Sequence, residues 1–258
     1  IMNKWIINLL LSIGLAISRA GKITIFFINI SSSLPRIIFT RTDLVIKQIY
    51  NAGTLSLVII MVSAFFVGMV LGLQGYDSLA KFDAETSVGA ISALGLFKEL
   101  GPVVTALLFS GRAGTAIASE IGLMRTTDQL SAMEMMAVDP IDYVVVPRFI
   151  GGILSMPLLA AIFNVIGIAG TCVVAINLMG VDSGVFWSQL ISNVDLSDIA
   201  EGIFKSIVFG IAASLIAVYE GYTCSPSAEG IGLATTRTVV SSAVAVLILD
   251  YLITSVII

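Results

Sequence analysis

The stretch TLSLVIIMVSAFFVGMVLGLQ, from Thr54 to Gln74, holds 21 residues without a charged side chain. About 20 apolar residues in a helix cross the hydrocarbon core of a bilayer, which is about 30 Å thick. This stretch therefore predicts a transmembrane helix. A longer uncharged run follows from Phe149 to Met179, and Pro157, Gly167 and Gly170 within it are expected to kink the helix or to let another helix pack closely.

Three further apolar stretches predict spans, although charged residues interrupt them: Val88 to Glu120, Ala200 to Tyr222 and Thr238 to Ile258. The composition agrees, because 57% of the residues are hydrophobic and only 12% are charged. Soluble domains carry about 25% charged residues. The mean hydropathy is +1.05. We therefore predict an all-α polytopic membrane protein with five transmembrane helices.

The N-terminal residues differ from these five stretches. Trp5 to Ile17 and Ile23 to Leu34 are apolar but too short to cross a bilayer, and Arg19 and Lys22 separate them. We predict an interfacial amphipathic helix within residues 1–50, followed by a five-span domain over residues 51–258. An uncleaved signal sequence is the alternative, which the absence of a small-residue cleavage site disfavours.

Basic residues are concentrated on one side of the predicted spans, as cytoplasmic loops require. Those before the first span and after spans two and four are Lys4, Arg19, Lys22, Arg36, Arg41, Lys47, Arg125, Arg148 and Arg237. The opposite side has few lysines among many acids: Lys81, Lys98 and Lys205 beside Asp77, Asp83, Glu85, Asp182, Asp195 and Asp198. We predict a cytoplasmic N-terminus and a C-terminus on the outside.

Residues that the chain lacks exclude several classes of protein. It has no His, which excludes His-ligated zinc sites and catalytic groups built on imidazole. The net charge of -4 argues against nucleic acid binding. Cys172 and Cys224 are isolated, so no disulfide framework is expected. No GxxxxGK[ST] phosphate loop occurs, so any energy from ATP must come from another chain.

A polar stretch between predicted spans two and three, Glu120 to Tyr143, is a candidate partner surface. Thr126 and Gln129 are spaced as a capping box that would begin a helix, and Asp139-Pro140 would end it. The residues predicted to share one face of that helix are Leu130, Met133, Met136 and Ala137. Flexible methionines suit a surface that grips a moving partner, although the helix could equally pack on its own bundle.

Three segments of the chain closely resemble the MlaE (YrbE) permease family. They are ELGPVVTALLFSGRAGTAIASEIGLMR from Glu99 to Arg125, QLSAMEMMAVDP from Gln129 to Pro140, and AEGIGLATTRTVV from Ala228 to Val240. The resemblance covers the chain from about Leu55 onward. It implies the permease subunit of an ABC transporter that moves phospholipids between the inner and outer membranes of Gram-negative bacteria and so maintains outer-membrane lipid asymmetry.

The resemblance also implies partners and localisation. It predicts a homodimer in the inner membrane with an MlaF-like ATPase, an MlaB-like STAS protein and a periplasmic hexamer of MlaD-like MCE-domain subunits, served by a soluble lipid carrier. ATP and Mg would bind to the ATPase, so this chain would hold no cofactor and would not itself be an enzyme. The stretch at about 120–143 would contain the coupling helix that docks into the ATPase, with Met133, Glu134, Ala137, Asp139 and Pro140.

Ionisable residues within spans are costly and are therefore functional candidates. Lys98 is predicted to meet a lipid phosphate, while Glu99 pairs with Arg112 or Lys205. The alternative is that both side chains only reach the outer headgroups. Arg112 is expected to form a structural ion pair with Glu120 or Glu220 rather than a ligand site. For Asp250 we expect a structural bond to Thr235, Thr236 or Arg237, with proton movement as the alternative.

A lipid with two acyl chains needs a pocket with an apolar body and a polar rim. Gly68 and Gly72 form a GxxxG step for close helix contact in the first span. The candidate lipid-binding residues around them and towards the outer ends of spans one and two are Phe66, Val70, Leu71, Phe82, Lys98 and Glu99.

Three other functions compete with the family's. A proton-coupled secondary lipid transporter would use Glu220 and Asp250 and would need no ATPase. A passive membrane anchor would hold a periplasmic lipid-binding ring and transport nothing. A related permease for sterols or other lipids would have the same spans.

Overall fold

The computed structural model describes residue 18, residues 21–31, residue 33 and residues 42–257. Within these residues the chain is helical and has no strand. Five helical stretches are long and apolar enough to cross a membrane: Thr42–Ala80, Glu85–Thr126, Ile141–Leu178, Leu196–Thr223 and Ala228–Ile257. The five predicted spans are therefore confirmed. They are called spans one to five below.

The helices are numbered along the chain. Their bounds are α1 Gly21–Ser31, α2 Thr42–Ala52, α3 Leu57–Ala80, α4 Val88–Gly95, α5 Gly101–Phe109, α6 Thr115–Thr126, α7 Gln129–Met135, α8 Val146–Cys172, α9 Ser183–Asn193, α10 Leu196–Thr223 and α11 Ala228–Ile257. Wider π-helical turns join or extend several of them at Leu96–Leu100, Ser110–Gly114, Ile141–Val145 and Val173–Leu178. Short 3₁₀ turns lie at Thr54–Ser56 and Glu85–Ser87.

Span three lies at the centre of the bundle, where α8 packs against α2, α3, α5 and α10. Small residues make its contact with span one close. A methyl group on Gly68 would overlap the carbonyl of Gly167, and one on Gly170 would overlap the carbonyl of Phe65. The Thr171 hydroxyl donates to the Gly68 carbonyl at 2.9 Å, which ties the two spans together. The close packing predicted for these glycines is confirmed.

Gly68→Ala is expected to destabilise the protein, because the added methyl group meets backbone that cannot move aside. Overpacking of this kind costs about 1–3 kcal/mol. The melting temperature of the purified protein in detergent, followed by circular dichroism, measures the effect. Gly95→Ala is the matched control, since a methyl group there has no atom within 4 Å. Equal melting temperatures for the two variants would contradict the close contact.

Helix α1 packs against the end of the bundle that carries α7. Phe26 and Ile30 are buried in a core that also contains Leu130 of α7. The ring of Phe26 lies 5.6 Å from those of Tyr219 and Tyr222 at the end of α10. With 11 residues α1 is too short to span, as predicted for Ile23 to Leu34. Trp5 to Ile17 lie outside the described residues, so the interfacial helix stays a prediction.

Candidate functional site

Six ionisable side chains from spans two, four and five come together inside the bundle. They are Lys98, Glu99, Asp198, Glu201, Lys205 and Asp250, and we call them the charge cluster. Two cations thus face four carboxylates. Charges in a membrane interior persist only when they are paired or face water, and this cluster pairs them across three spans.

Lys205 is the centre of the charge cluster and is fully buried. Its ammonium donates to Glu99 Oε1 at 2.9 Å, to the Lys98 carbonyl at 2.9 Å and to Thr254 Oγ1 at 2.8 Å. An ammonium has three N–H donors, so each of them has a partner. Glu201 at 3.3 Å and Asp250 at 3.7 Å add further carboxylates. The pairing predicted between Glu99 and Lys205 is therefore present.

Pro102 leaves the Lys98 carbonyl without its usual helical hydrogen-bond donor, and Lys205 replaces that donor. In an α-helix the carbonyl of Lys98 would accept from the N–H of residue 102, but Pro102 has no N–H. The backbone widens into a π-helical turn at Leu96–Leu100 instead. The Lys205 ammonium then supplies the donor that the Lys98 carbonyl lacks. Pro102 is the sequence feature that could have located this contact.

Lys98 lies beside Lys205 but turns to two acids near the start of α10. Its ammonium is 2.9 Å from Asp198 Oδ1 and 3.5 Å from Glu201 Oε2. Asp198 also accepts from the N–H of Asp195 as part of a capping box at the start of α10. The side chain of Lys98 keeps 37% exposure. Its contact with a lipid phosphate stays a prediction, and any such lipid would have to share the ammonium with these carboxylates.

The partners predicted for Arg112 and Asp250 were wrong. Arg112 donates to the Asn51 carbonyl at 2.6 Å, because that carbonyl is released where α2 ends. Glu120 accepts from Arg148 instead, at 3.1 Å.

Asp250 meets Lys205 of span four rather than residues 235–237, which precede it on its own helix. The hydroxyls of Thr235 and Thr236 donate to the Gly232 carbonyl. Glu220, the other intramembrane acid predicted to matter, is buried near the end of α10.

The short helix α7 projects from the end of the bundle, between spans two and three. The capping box predicted for Thr126 and Gln129 was wrong: α6 continues to Thr126, whose hydroxyl donates to the Gly122 carbonyl. Asp128, in the left-handed region at φ 57°, separates the two helices. Leu130 is buried and Met133 packs beside it. These two residues fix α7 to the core.

The end of α7 also differs from the prediction. Ala137 has φ 58°, and the N–H groups of Ala137 and Val138 donate to the carbonyls of Glu134 and Met133. This pattern is a Schellman motif, which ends a helix. Asp139 instead caps the next helical turn, where it accepts from the N–H of Ile141 at 2.8 Å.

Met136 and Ala137 therefore do not share the buried face with Leu130. Met135 and Met136 are 83% and 68% exposed, and Glu134 beside them is exposed as well. These three residues, Glu134 to Met136, form an exposed tip at the end of α7 that is open to a partner.

Ala137→Gly is expected to stabilise α7 by about 1 kcal/mol, because glycine adopts a positive φ without the steric cost that alanine bears. Slower hydrogen exchange of the α7 amides measures the effect. Ala132→Gly, in the middle of α7, is the matched control and should speed exchange. Faster exchange in Ala137→Gly would refute the role of this backbone position.

The residues predicted to bind lipid fall into three groups. Phe66 and Val70 lie one turn apart on the exposed face of α3, and Phe82, 81% exposed, follows the end of that helix. Leu71 is half-buried and packs against the core. Lys98 and Glu99 belong to the charge cluster. Phe66 and Val70 therefore lie on one exposed surface of α3, whereas Leu71 faces the core.

Known proteins are similar to this chain over most of its length. A model of the permease MlaE family matches residues 45–256. The chain is 53% identical over 214 residues to the intermembrane phospholipid transport system permease protein MlaE of Haemophilus influenzae, covering 83% of this chain and 82% of that protein. It is 38% identical over 236 residues to a probable ABC transporter permease protein of Rickettsia bellii, covering 91% and 90% of the two chains. The chain therefore belongs to the MlaE permease family.

Proposed function

We propose that this chain is the membrane permease subunit of an ATP-driven ABC transporter that moves phospholipids between the inner and outer membranes and maintains outer-membrane lipid asymmetry. The observation that carries the proposal is α7, a short helix fixed to the core by Leu130 and exposed at its tip between two spans. The name of the Haemophilus influenzae relative, an intermembrane phospholipid transport system permease protein, supports phospholipid as the substrate.

The energy source lies on a partner, because the chain has no phosphate loop. The proposed assembly is a homodimer with an MlaF-like ATPase that binds ATP and Mg, an MlaB-like STAS protein and an MlaD-like MCE-domain hexamer. The exposed tip of α7 is the ATPase contact, with Met133, Ala137, Asp139 and Pro140 shaping the helix and its end.

The proposed orientation places α7 in the cytoplasm and the C-terminus in the periplasm. Arg125, Arg148 and Arg237 lie near the ends of the spans on the α7 side. Asp77, Asp83 and several other acids lie at the opposite end. This distribution follows the rule that basic residues remain on the cytoplasmic side.

Span two connects the ATPase contact to the charge cluster. It runs from Glu85 to Thr126, so one continuous span carries Lys98 and Glu99 near one end and leads into α7 at the other. A movement imposed on α7 by the ATPase is passed along span two to spans four and five through Lys205. Phe66, Val70, Leu71 and Phe82 provide the apolar surface that the acyl chains follow.

Native mass spectrometry of the complex purified in mild detergent tests this function, together with lipid transfer in reconstituted vesicles. An ATPase in equal copy number, retained phospholipid and ATP-dependent transfer are expected. Transfer driven by a proton gradient without ATP would favour a secondary transporter that uses Glu220 and Asp250. If transfer continued when the exposed surface of span one and the charge cluster were altered, the chain would be a passive anchor. Retained sterol in place of phospholipid would assign a different substrate.

A further inference from the structure

A cavity of about 480 Å³ lies at the α7 end of the bundle, far from the charge cluster. It is open on one side and is lined by residues of α1, of the end of α10 with the loop that follows, and of the start of α11. Glu201 of the charge cluster and Glu220 of the cavity wall are 19 residues apart on α10, or roughly 28 Å at 1.5 Å per residue. The cavity is therefore separate from the charge cluster and lies at the opposite membrane face.

The lining of the cavity combines charges of both signs. Glu220 in its wall is only 4% exposed. Lys22 of α1 and Arg237 of α11 also line the cavity, and both are exposed. The lining thus combines a buried carboxylate with two exposed cations from different helices. The hydroxyl of Ser225 adds a further polar group.

An apolar surface continues from the cavity along span five. Leu233, Val240, Val244 and Leu247 are each about half exposed. Their spacing places them on one face of α11, the face that also carries Arg237. A ligand held at Arg237 can therefore extend an acyl chain along this face into the bilayer.

These features match a zwitterionic lipid headgroup. Phosphoethanolamine carries a negative phosphate and a positive ammonium, and phosphate binds to Lys and Arg while ammonium binds to carboxylate. We propose that this cavity binds the headgroup of a phosphatidylethanolamine from the adjacent leaflet, with the phosphate on Lys22 and Arg237 and the ammonium on Glu220.

A carboxylate accepts about four hydrogen bonds, so Glu220 takes the ammonium in addition to its contacts within the protein. The site goes beyond the proposed transport function, and either one can fail without the other.

Cys224 lines the cavity, so the rate of alkylation of its thiol is expected to report occupancy of the cavity. The chain has two cysteines, so Cys172→Ala leaves Cys224 as the single thiol. Burial raises the pKa of the Cys224 thiol, and Arg125 partly opposes this effect, so alkylation is followed at one fixed alkaline pH. The full chain is placed in nanodiscs of phosphatidylglycerol alone or of phosphatidylglycerol mixed with phosphatidylethanolamine.

Phosphatidylethanolamine should slow the alkylation of Cys224 about tenfold at a concentration about ten times its Kd, since only the empty fraction reacts. The double variant Lys22→Gln with Arg237→Gln should remove this protection. Glu220→Gln should make phosphatidylethanolamine protect Cys224 no better than phosphatidylglycerol does. Lys22 and Arg237 are exposed, so their charges can be removed without disturbing the core. The double variant therefore still tests headgroup binding if Glu220→Gln does not fold. Lys81→Gln, an exposed lysine at the opposite end, is the matched control.

The remaining outcomes would overturn the proposal. Alkylation of Cys224 in the mixed nanodiscs as fast as in the double variant Lys22→Gln with Arg237→Gln would mean that the cavity binds no lipid headgroup. Equal protection by inorganic phosphate in phosphatidylglycerol nanodiscs would identify free phosphate as the ligand. Equal protection in both nanodiscs, retained in Glu220→Gln, would refute the ammonium contact. ATP-driven lipid transfer is measured in parallel. Transfer that continues when protection is absent means that only this site fails, whereas loss of transfer in the unmodified protein means that the proposed transport function fails.

Discussion

Lys205→Met is expected to abolish ATP-driven phospholipid transfer and to lower the free energy of unfolding by about 3–5 kcal/mol, the usual cost of breaking a buried ion pair. Methionine fills much of the lysine volume but provides no charge and no N–H donor. Glu99 and Asp250 would then lose their cation, and Glu201 would keep only Lys98. The Lys98 carbonyl would lose its donor as well. Chemical denaturation in detergent and lipid transfer from reconstituted vesicles measure the two effects.

Two further variants show that the effect belongs to the charge cluster. Lys81→Met removes an exposed lysine whose side chain is 69% accessible, and it should change neither stability nor transfer. Combining Lys205→Met with Asp250→Asn should cost less than the sum of the two single changes, because the second change removes a charge that the first left unpaired. Strict additivity of the two changes would contradict direct coupling between Lys205 and Asp250.

The spans could be predicted because the bilayer imposes one length scale on apolar sequence. The run around Phe65 and Phe66 needs no tertiary information to be recognised as a span. The close contact of Gly68 with Gly167 was also predictable in kind, since small residues allow helices to approach. The residue that each glycine contacts could not be predicted, because the sequence does not say which spans are neighbours.

Only part of the charge cluster could be predicted from the sequence. Lys98 and Glu99 were recognised as costly, and Lys205 was one of two partners considered for Glu99. Asp198, Glu201 and Thr254 were missed as partners, because the sequence does not say which turns of spans four and five lie beside Lys98 and Glu99. Arg112 was given the wrong partner, since a backbone carbonyl such as that of Asn51 leaves no trace in the sequence.

The errors in α7 have a local physical cause. Thr126 and Gln129 have the spacing of a capping box, but the Thr126 hydroxyl bonds back to the preceding turn and α6 continues. Ala137 adopts a left-handed conformation that usually requires glycine, so its residue type gave no warning of the helix end. The correct end of α7 places Met136, which was predicted to share a face with Leu130, in solvent beside Met135.

The double variant Met135→Asp with Met136→Asp is expected to abolish co-purification of the ATPase and to stop ATP-driven transfer. Both side chains are exposed in the single chain, so their replacement should leave its stability within about 0.5 kcal/mol. At an interface the same methionines would be buried, and the loss of two anchors costs about 3 kcal/mol, or roughly a hundredfold in affinity. Native mass spectrometry counts the bound ATPase, and circular dichroism in detergent follows the melting temperature.

Leu196→Asp is the matched control, since Leu196 is 82% exposed and begins α10 at the opposite end of the bundle. This variant should keep the ATPase bound, because an added charge at that end does not meet it. The combination of normal stability, lost ATPase and an intact Leu196→Asp control separates a docking surface from a structural helix. A double methionine variant that still binds the ATPase would show that α7 packs only on its own bundle, and the energy coupling would then have to enter the chain elsewhere.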